Sequence, residues 1–341
     1  EMIGTHSGTF QADECLGVWM LRRLARFGGP TASVVRSRDA ATLAPLPIVI
    51  DVGGVYNPET LRYDHHQRGF FETLDSPIGS ARGPDSASGK FKTKLSACGL
   101  VYKHHGREII GALHPALREV PDKMEWVFDK MYSDMIEGID AIDNGIEVSE
   151  GEARYKEGTG LSSRVHRLNA KWNSPADGPS ENERFEKASE VCGADFSSVL
   201  ENIVCCELPA RELVEEALVS RSAVHPSGRV VALQRGGGLP WKTHLYELER
   251  KHGVGGAVLF VLYTDNAGMW RVQAVTQEGT DFTNRLSLPE EWRGLRDAEL
   301  LSKSGVPTAR FVHNAGFIGG ADTYEGALAM ALAAIQADGG A

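Results

Sequence analysis

The chain has 341 residues, 42% of them hydrophobic and 24% charged, and a net charge of −10. That is ordinary globular composition at a length of roughly two domains, which excludes disordered, collagen-like and fibrous readings. Apolar runs such as residues 255–263 are far shorter than the ~20 residues of a bilayer span, and so acidic a chain is a poor non-specific coat for nucleic acid, although a local basic groove is compatible with it.

The first third alternates strand and helix signals. Residues 2–5 are a short apolar run, and Leu16, Trp19, Met20 and Leu24 form a helical stripe over 13–27 that Gly28-Gly29-Pro30 stops. Residues 32–36 read as a strand, 37–44 as a short helix, and 47–52 as a buried strand ahead of Gly53-Gly54. Such alternation predicts a parallel α/β sheet. Residues 75–94, rich in Ser, Gly, Pro and Lys, read as a loop; 95–110 and 123–142 read as helices. The Pro- and Gly-containing stretch 174–183 breaks this rhythm and divides the chain into expected domains 1–178 and 179–341. Beyond it, 185–220 is helical with an interruption at Pro209. Strands follow at 229–234, 257–264 and 270–276, with a hairpin turn at 265–268, and 322–336 is a closing helix.

Five cysteines without a CxxC pair exclude a disulfide framework and a thiolate zinc site, and they fit a reducing, intracellular compartment. Cys205-Cys206 is expected in a helix core, and His104-His105 in a structural or surface position. No signal peptide is visible, though a removed transit peptide would leave that reading unchanged.

The chemistry concentrates around Asp64-His65-His66. His6, Asp51 and Asp64 each follow a strand-like run, and ligands gather at the carboxyl ends of strands in open α/β sheets. Asp13 stands at the start of the first helix, and Asp140 and Asp143 share a helix face near the end of another. Carboxylates and imidazoles without thiolates suit Mn²⁺ or Mg²⁺ better than zinc. Two such ions can hold the attacking and leaving oxygens of an in-line displacement at phosphorus. Asp51 is the natural bridging carboxylate, and Asp64 is placed to orient an imidazole.

The runs His6-Ser7-Gly8-Thr9-Phe10-Gln11-Ala12-Asp13-Glu14, Val49-Ile50-Asp51-Val52-Gly53-Gly54 and Arg62-Tyr63-Asp64-His65-His66-Gln67-Arg68 resemble the melanocyte-proliferating-gene protein family, relatives of the DHH phosphoesterases. The match continues through 94–100, 140–145, Leu161-Ser162-Ser163-Arg164, Pro240-Trp241-Lys242, 288–296 and Gly316-Phe317-Ile318-Gly319-Gly320. The resemblance implies an α/β protein with a DHH-type parallel-sheet catalytic domain followed by a smaller α/β substrate-binding domain. It implies a metal-dependent phosphodiesterase, more narrowly a 3′–5′ RNA exonuclease of mitochondria and nucleus that acts on single-stranded RNA and needs no membrane. His6, Asp13, Asp51 and His65 would hold metal, Asp140 and Asp143 compete for the last ligand position, and Asp64 and His66 would serve the scissile phosphate. One departure is Gln11, where the family usually carries histidine.

In the second half, Phe317-Ile318-Gly319-Gly320 ahead of a helix is expected to let backbone amides approach a phosphate. Lys242, His244, Arg271, Arg285, Arg293 and Arg296, with Trp241 and Trp292 near turns, are expected to line a groove for a single strand; Trp270, in a strand, reads as core. Arg164 is placed with the substrate-binding residues. The alternatives are a small-molecule phosphatase or pyrophosphatase on the same metals, which a narrow basic pocket would favour, and a non-catalytic metal-binding adaptor.

Overall fold

A computed structural model describes residues 2–78, 89–152, 154–234 and 237–339. The middle of the expected 75–94 loop lies outside the described residues. The chain forms two compact units, Glu1–Val204 and Cys205–Ala341.

The first unit opens with β1 (Met2–Thr5), α1 (Ala12–Leu21), β2 (Ser33–Arg36), α2 (Ala40–Leu43), β3 (Ile48–Ile50), β4 (Tyr56–Asn57) and β5 (Arg62–Tyr63). Its sheet runs β2-β1-β3-β5-β4, parallel throughout except for β4 at the edge. Every residue of β3 is buried, as a parallel strand covered on both faces requires. From β1 the strand order runs outward in opposite directions, to β2 on one side and to β3 on the other. The carboxyl ends of β1 and β3 therefore flank a switch point, where a crevice opens.

Helices α3 (Ala97–Leu113), α4 (Pro121–Met131), α5 (Glu137–Asp143), α6 (Leu161–His166) and α7 (Glu181–Asn202) complete this unit. A π-helical turn, Tyr132–Ile136, joins α4 to α5. Helix α1 is buried on nearly every side, because α3 and α7 both pack on it. Two glycines allow the close approaches: a Cβ on Gly17 would lie 2.7 Å from Ile50, and one on Gly193 would enter the Trp19 ring. Ser189 Oγ donates to the Cys15 carbonyl at 2.9 Å. These contacts bind α7 to the first unit and correct the expected boundary at 178/179: the Pro/Gly-rich stretch is a surface connection within that unit, and the break in packing comes at Val204/Cys205.

A second π turn, Ile203–Glu207, precedes α8 (Leu208–Val219), whose second residue is the expected interruption, Pro209. Then follow α9 (Arg221–Val224), β6 (Val230–Ala232), α10 (Trp241–Lys251), β7 (Phe260–Thr264), β8 (Trp270–Ala274), α11 (Asp297–Ser304), β9 (Ala309–Val312), β10 (Ile318–Ala321) and α12 (Tyr324–Ala337). The sheet order is β6-β7-β8-β10-β9; β6 and β7 are parallel and all other pairs antiparallel. The β7–β8 hairpin is the expected one, its turn held by Asp265 Oδ1, which accepts from the amides of Ala267 and Met269.

Gly319 and Gly320 lie inside β10 rather than in a loop before a helix. A Cβ on Gly320 would stand 2.5 Å from the Phe311 ring, and one on Gly319 would stand 2.8 Å from Met330. Packing accounts for the pair, and α12 starts later, capped by Thr323. Trp241 and Trp292 are core residues as well, so neither indole offers a surface to a base. Cys205 and Cys206 are exposed, contrary to the expected helix core. Among the described residues no helix is long and apolar enough to cross a membrane.

Candidate metal centre

The strand ends converge as their sequence positions predict. His6 follows β1, Asp51 follows β3, and Asp64 and His65 follow β5. The first turn of α1 delivers Asp13 and Glu14, and the last residue of α5 is Asp143. Asp51 holds φ at +56°, the left-handed region that an L-residue occupies only at a cost. Its backbone bends there so that the carboxylate turns inward, while its amide donates to the Tyr63 carbonyl at 2.9 Å.

Two triads result: His6, Glu14 and Asp51, all buried; and Asp13, His65 and Asp143, of which Asp143 is half-buried. Within each, one potential ligand atom per residue lies within 4.8 Å of the others. His6 Nε2 stands 3.0 Å from Glu14 Oε1 and 3.3 Å from Asp51 Oδ2. His65 Nε2 stands 3.0 Å from Asp143 Oδ2 and 3.4 Å from Asp51 Oδ1. Asp51 thus turns one oxygen toward each histidine and joins the two triads.

The donor set fits a divalent cation. His65 Nδ1 and Nε2 and Asp51 Oδ1 are buried and make no well-directed hydrogen bond, a costly arrangement unless something else satisfies them. Their close approaches therefore reflect atoms aimed at common points rather than at each other. Spacings of this size are the edges of a coordination shell with bonds of ~2.1 Å. His6 Nδ1 faces the Ser7 carbonyl at 3.2 Å, the outer contact that leaves Nε2 for a metal.

Electrostatics follow from crowding carboxylates out of water. Burial works against a charged His6, but Asp51 and Glu14 outweigh it and raise its pKa to about 10. Burial likewise opposes a charged His65, and Asp143 and Asp51 raise it to about 10. Asp13 is pushed well above the carboxylate range by burial and by the charges of Asp51 and Asp143. For Asp51, burial acts upward, yet the contacts with His6 and His65 prevail and lower it.

Asp140 and Asp143 have different jobs. Asp140 is fully buried and sits outside both triads. Its Oδ1 accepts from Ser96 N at 2.9 Å and lies 2.6 Å from Ser96 Oγ, and its Oδ2 accepts from Tyr132 OH at 2.9 Å. Burial raises it to about 7, against the pull of those hydrogen bonds. Ser96 Oγ also lies 2.6 Å from Asp13 Oδ1, so Asp140 supports Asp13 through one serine. The first amides of α3 reinforce it: Cys98 N donates to Asp13 Oδ1 at 2.6 Å, placing the carboxylate at the positive end of a 17-residue helix.

Asp64 is itself a member of neither triad. Its Oδ2 accepts from Gly54 N at 2.6 Å and its Oδ1 holds His66 Nδ1 at 2.6 Å. His66 is exposed, so Nε2 is the ring nitrogen left for a ligand. His66 also lies near Asp51 and His65, but Asp64 occupies its Nδ1.

The centre lies beside two cavities. One of about 350 Å³ is lined by His6, Arg38, Asp51, Gly53, Asp64 and His66. Arg38 is fixed there by the Ser7 carbonyl at 3.1 Å and stands 3.2 Å from His6 Nδ1. The other, about 420 Å³, is lined by Asp13, Asp143, Ile142, Lys156, His166 and Arg167 among others, and Gln11 borders both.

A family model described as "Uncharacterised protein family (UPF0160)", with the short name MYG1 exonuclease, matches residues 2–335. The chain belongs to the MYG1 family. It is 47% identical over 335 residues to the MYG1 exonuclease of Mus musculus, covering 98% of this chain and 84% of that protein. It is 46% identical over 334 residues to the MYG1 exonuclease of Homo sapiens, covering 98% and 85%, and 39% identical over 338 residues to a MYG1 protein of Saccharomyces cerevisiae, covering 97% and 94%. No solved structure matches the chain.

Other residues expected from the sequence fall elsewhere in this MYG1-family fold. Arg164 pairs with Asp195 at 2.6 Å and turns away from the cavity that its helix neighbours Ser163 and Arg167 line. Arg285 is held by Glu249 and the Val258 carbonyl, and Arg293 donates to the Leu288 carbonyl at 3.2 Å. Lys242 is half-buried on α10. None of these residues belongs to either triad. His104 and His105 are structural, bonded to the hydroxyls of Tyr56 and Tyr63.

Sequence reasoning passed over Glu14, Ser96, Arg38 and Asn169. Glu14 reads as an ordinary acidic first-turn residue, and its side chain does accept the Gln11 amide. The available signal was a second acid beside Asp13 on a helix whose remaining residues are apolar. Asn169 grips Phe10 through both its amide and its carbonyl and fixes the approach to α1.

Proposed function

We propose that this protein is a divalent-metal-dependent exonuclease that hydrolyses single-stranded RNA, in which the residues around Asp51 would hold Mn²⁺ or Mg²⁺. The observation that carries the reading is Asp51, whose two oxygens face His6 and His65 on opposite sides. The family membership and the names of its mammalian relatives support a nuclease. A divalent cation in such a cage supplies Lewis acidity and a water of lowered pKa. His6, Glu14 and Asp51 form one ligand set, and Asp13, His65 and Asp143 the other, with Asp143 rather than Asp140 as the last ligand. Arg38, fixed beside His6, binds a non-bridging phosphate oxygen. His66 faces the same cavity, and Asp64 keeps its Nδ1 occupied so that Nε2 delivers a proton to the leaving oxygen. Asp64 acts through His66 and is a positioning residue. By resemblance to the DHH phosphoesterases, the second unit serves the substrate, and cleavage runs 3′ to 5′.

The test is manganese-dependent cleavage of a 5′-labelled single-stranded RNA by wild type and Asp51→Asn. Asparagine tolerates the left-handed backbone, so the variant removes charge without removing the turn. Progressive shortening by wild type alone is expected. No cleavage by wild type with manganese bound would refute the reading.

A further inference from the structure

The cavity beside Asp13 and Asp143 has a composition that the ligand sets do not explain. Lys156, His166 and Arg167 line it together with Ser162 and Ser163, and Ile139 and Ile142 give it an apolar wall. Across residues 154–172 the chain carries Arg154, Lys156, Arg164, Arg167 and Lys171 against Glu157 alone. That is a surplus of four positive charges in a protein of net charge −10. Arg164 is spent on Asp195, and Glu157 is turned onto the amides of Thr159 and Gly160. Among the described residues no carboxylate pairs with Lys156, Arg167 or Lys171.

The same segment carries two aromatic side chains that folding leaves in water. Tyr155 is 78% exposed and Trp172 is 98% exposed. Trp172 stands three residues beyond Asn169, whose clamp on Phe10 fixes that end of the segment at the cavity rim. Exposed aromatic faces beside cations that no carboxylate pairs, leading to a cavity where Lys156 and Arg167 stand with the carboxylates Asp13 and Asp143, are what a single strand needs: bases stack and phosphates are tracked.

We propose that residues 154–172 form the substrate path of this unit. The terminal nucleotide enters the 420 Å³ cavity with its base against Ile139 and Ile142 and its phosphate toward Asp13 and Asp143. The preceding bases stack on Tyr155 and Trp172. This rests on the exonuclease reading and adds to it where the strand lies: on the metal-bearing unit itself, supplied by a segment other than the Trp241 and Arg285 region.

The experiment is fluorescence anisotropy of a labelled, hydrolysis-resistant phosphorothioate decauridylate and of the matching dinucleotide, with manganese present. Tyr155→Ala/Trp172→Ala changes only exposed side chains, and circular dichroism checks the fold. The ten-nucleotide strand is expected to bind about tenfold more weakly or worse, and the dinucleotide, whose single preceding base reaches at most one of the two aromatics, to lose less, so that the preference for length shrinks. Lys156→Ala/Arg167→Ala is expected to flatten the plot of log K against log salt by about 1.4, at ~0.7 per cation lost. An unchanged length preference together with an unchanged salt slope would overturn the path, as would a wild type that binds neither strand. If those results came with intact manganese-dependent cleavage by wild type, the exonuclease reading would survive and only the path would fall. Absence of cleavage by wild type would instead count against the exonuclease reading.

Discussion

Metal binding to this centre must expel protons, and the number can be worked from the ligand sets. Free of metal, His6 and His65 are each held near pKa 10 by the carboxylates around them, so at pH 7.5 both are imidazolium. A metal needs the neutral ring. Filling both sites from pH 7.5 is therefore expected to release about two protons from the histidines, with any further contribution from Asp13, whose pKa is also raised. The combined affinity should then rise by about two decades per pH unit between pH 7 and 9. The direction is opposite to that of metal-free stability. A histidine with a raised folded pKa stabilises fully below its unfolded value near 6.5 and loses that contribution as pH climbs through about 10. Titration calorimetry with Mn²⁺ in buffers of different ionisation enthalpy reads the released protons directly. His6→Ala should lower the count by one. An affinity flat from pH 7 to 9, with no buffer dependence of the heat, would refute the assignment of these two rings as ligands.

Other predictions follow from contacts in and behind the centre. Asp140, raised to about 7 by burial, holds its proton better folded than unfolded, so in chelator-treated protein its contribution is present below pH ~4 and lost as pH rises toward 7. Asp140→Asn should remove that loss, roughly 4 kcal/mol at most, seen as a flatter urea-midpoint profile from pH 4 to 8. A Cβ on Gly99 would fall 2.3 Å from Asp140 Oδ1; Gly99→Ala should cost about 1–3 kcal/mol of stability by overpacking, measured by denaturant titration. Asp64→Ala frees His66 and should lower kcat on RNA by about 10- to 100-fold with little change in KM, since the loss is of a correctly held proton donor; equal loss in KM would argue that Asp64 binds substrate.

Much of the centre was legible because short apolar strands end at polar residues. Ile48-Val49-Ile50 can only be buried, and the first acid after it, Asp51, must then stand at the sheet's carboxyl edge. His6, after the short run Met2–Thr5, follows the same rule. What stayed illegible depended on phase and on distance along the chain. Asp140 and Asp143 are three apart and share a helical face on paper, yet one is locked behind Ser96 and the other reaches His65. No local pattern brings Ser96 to Asp13 across 83 positions. The tryptophans were misleading for a different reason. A Trp beside a Lys or Arg near a turn can equally anchor a core, and Trp241 does so among Leu245, Leu248 and Val261. Cys205 and Cys206 erred the other way: apolar by type, they fall on the outer side of a π turn, where helical periodicity no longer predicts burial.

The π turn at Tyr132–Ile136 has a bearing on how this protein tolerates change in length. Such a turn carries one residue more than the α-helix it interrupts and absorbs it locally, whereas a residue added to or taken from an unbroken α-helix rotates everything downstream by about 100°. Removing Ser133 alone would let α4 and α5 fuse into one unbroken helix of better local geometry. The same deletion would leave Asp143 on the side of His65 and Asp140 on the side of Ser96, because the wide turn had taken up the extra residue; removing two residues would leave the second unabsorbed and swing both carboxylates by about 100° around the axis. A chain shortened there by one residue thus keeps the centre, and a chain shortened by two keeps a regular helix and loses it, with every ligand still present in its composition. In this segment the spacing between residues is as much a part of the centre as their identity.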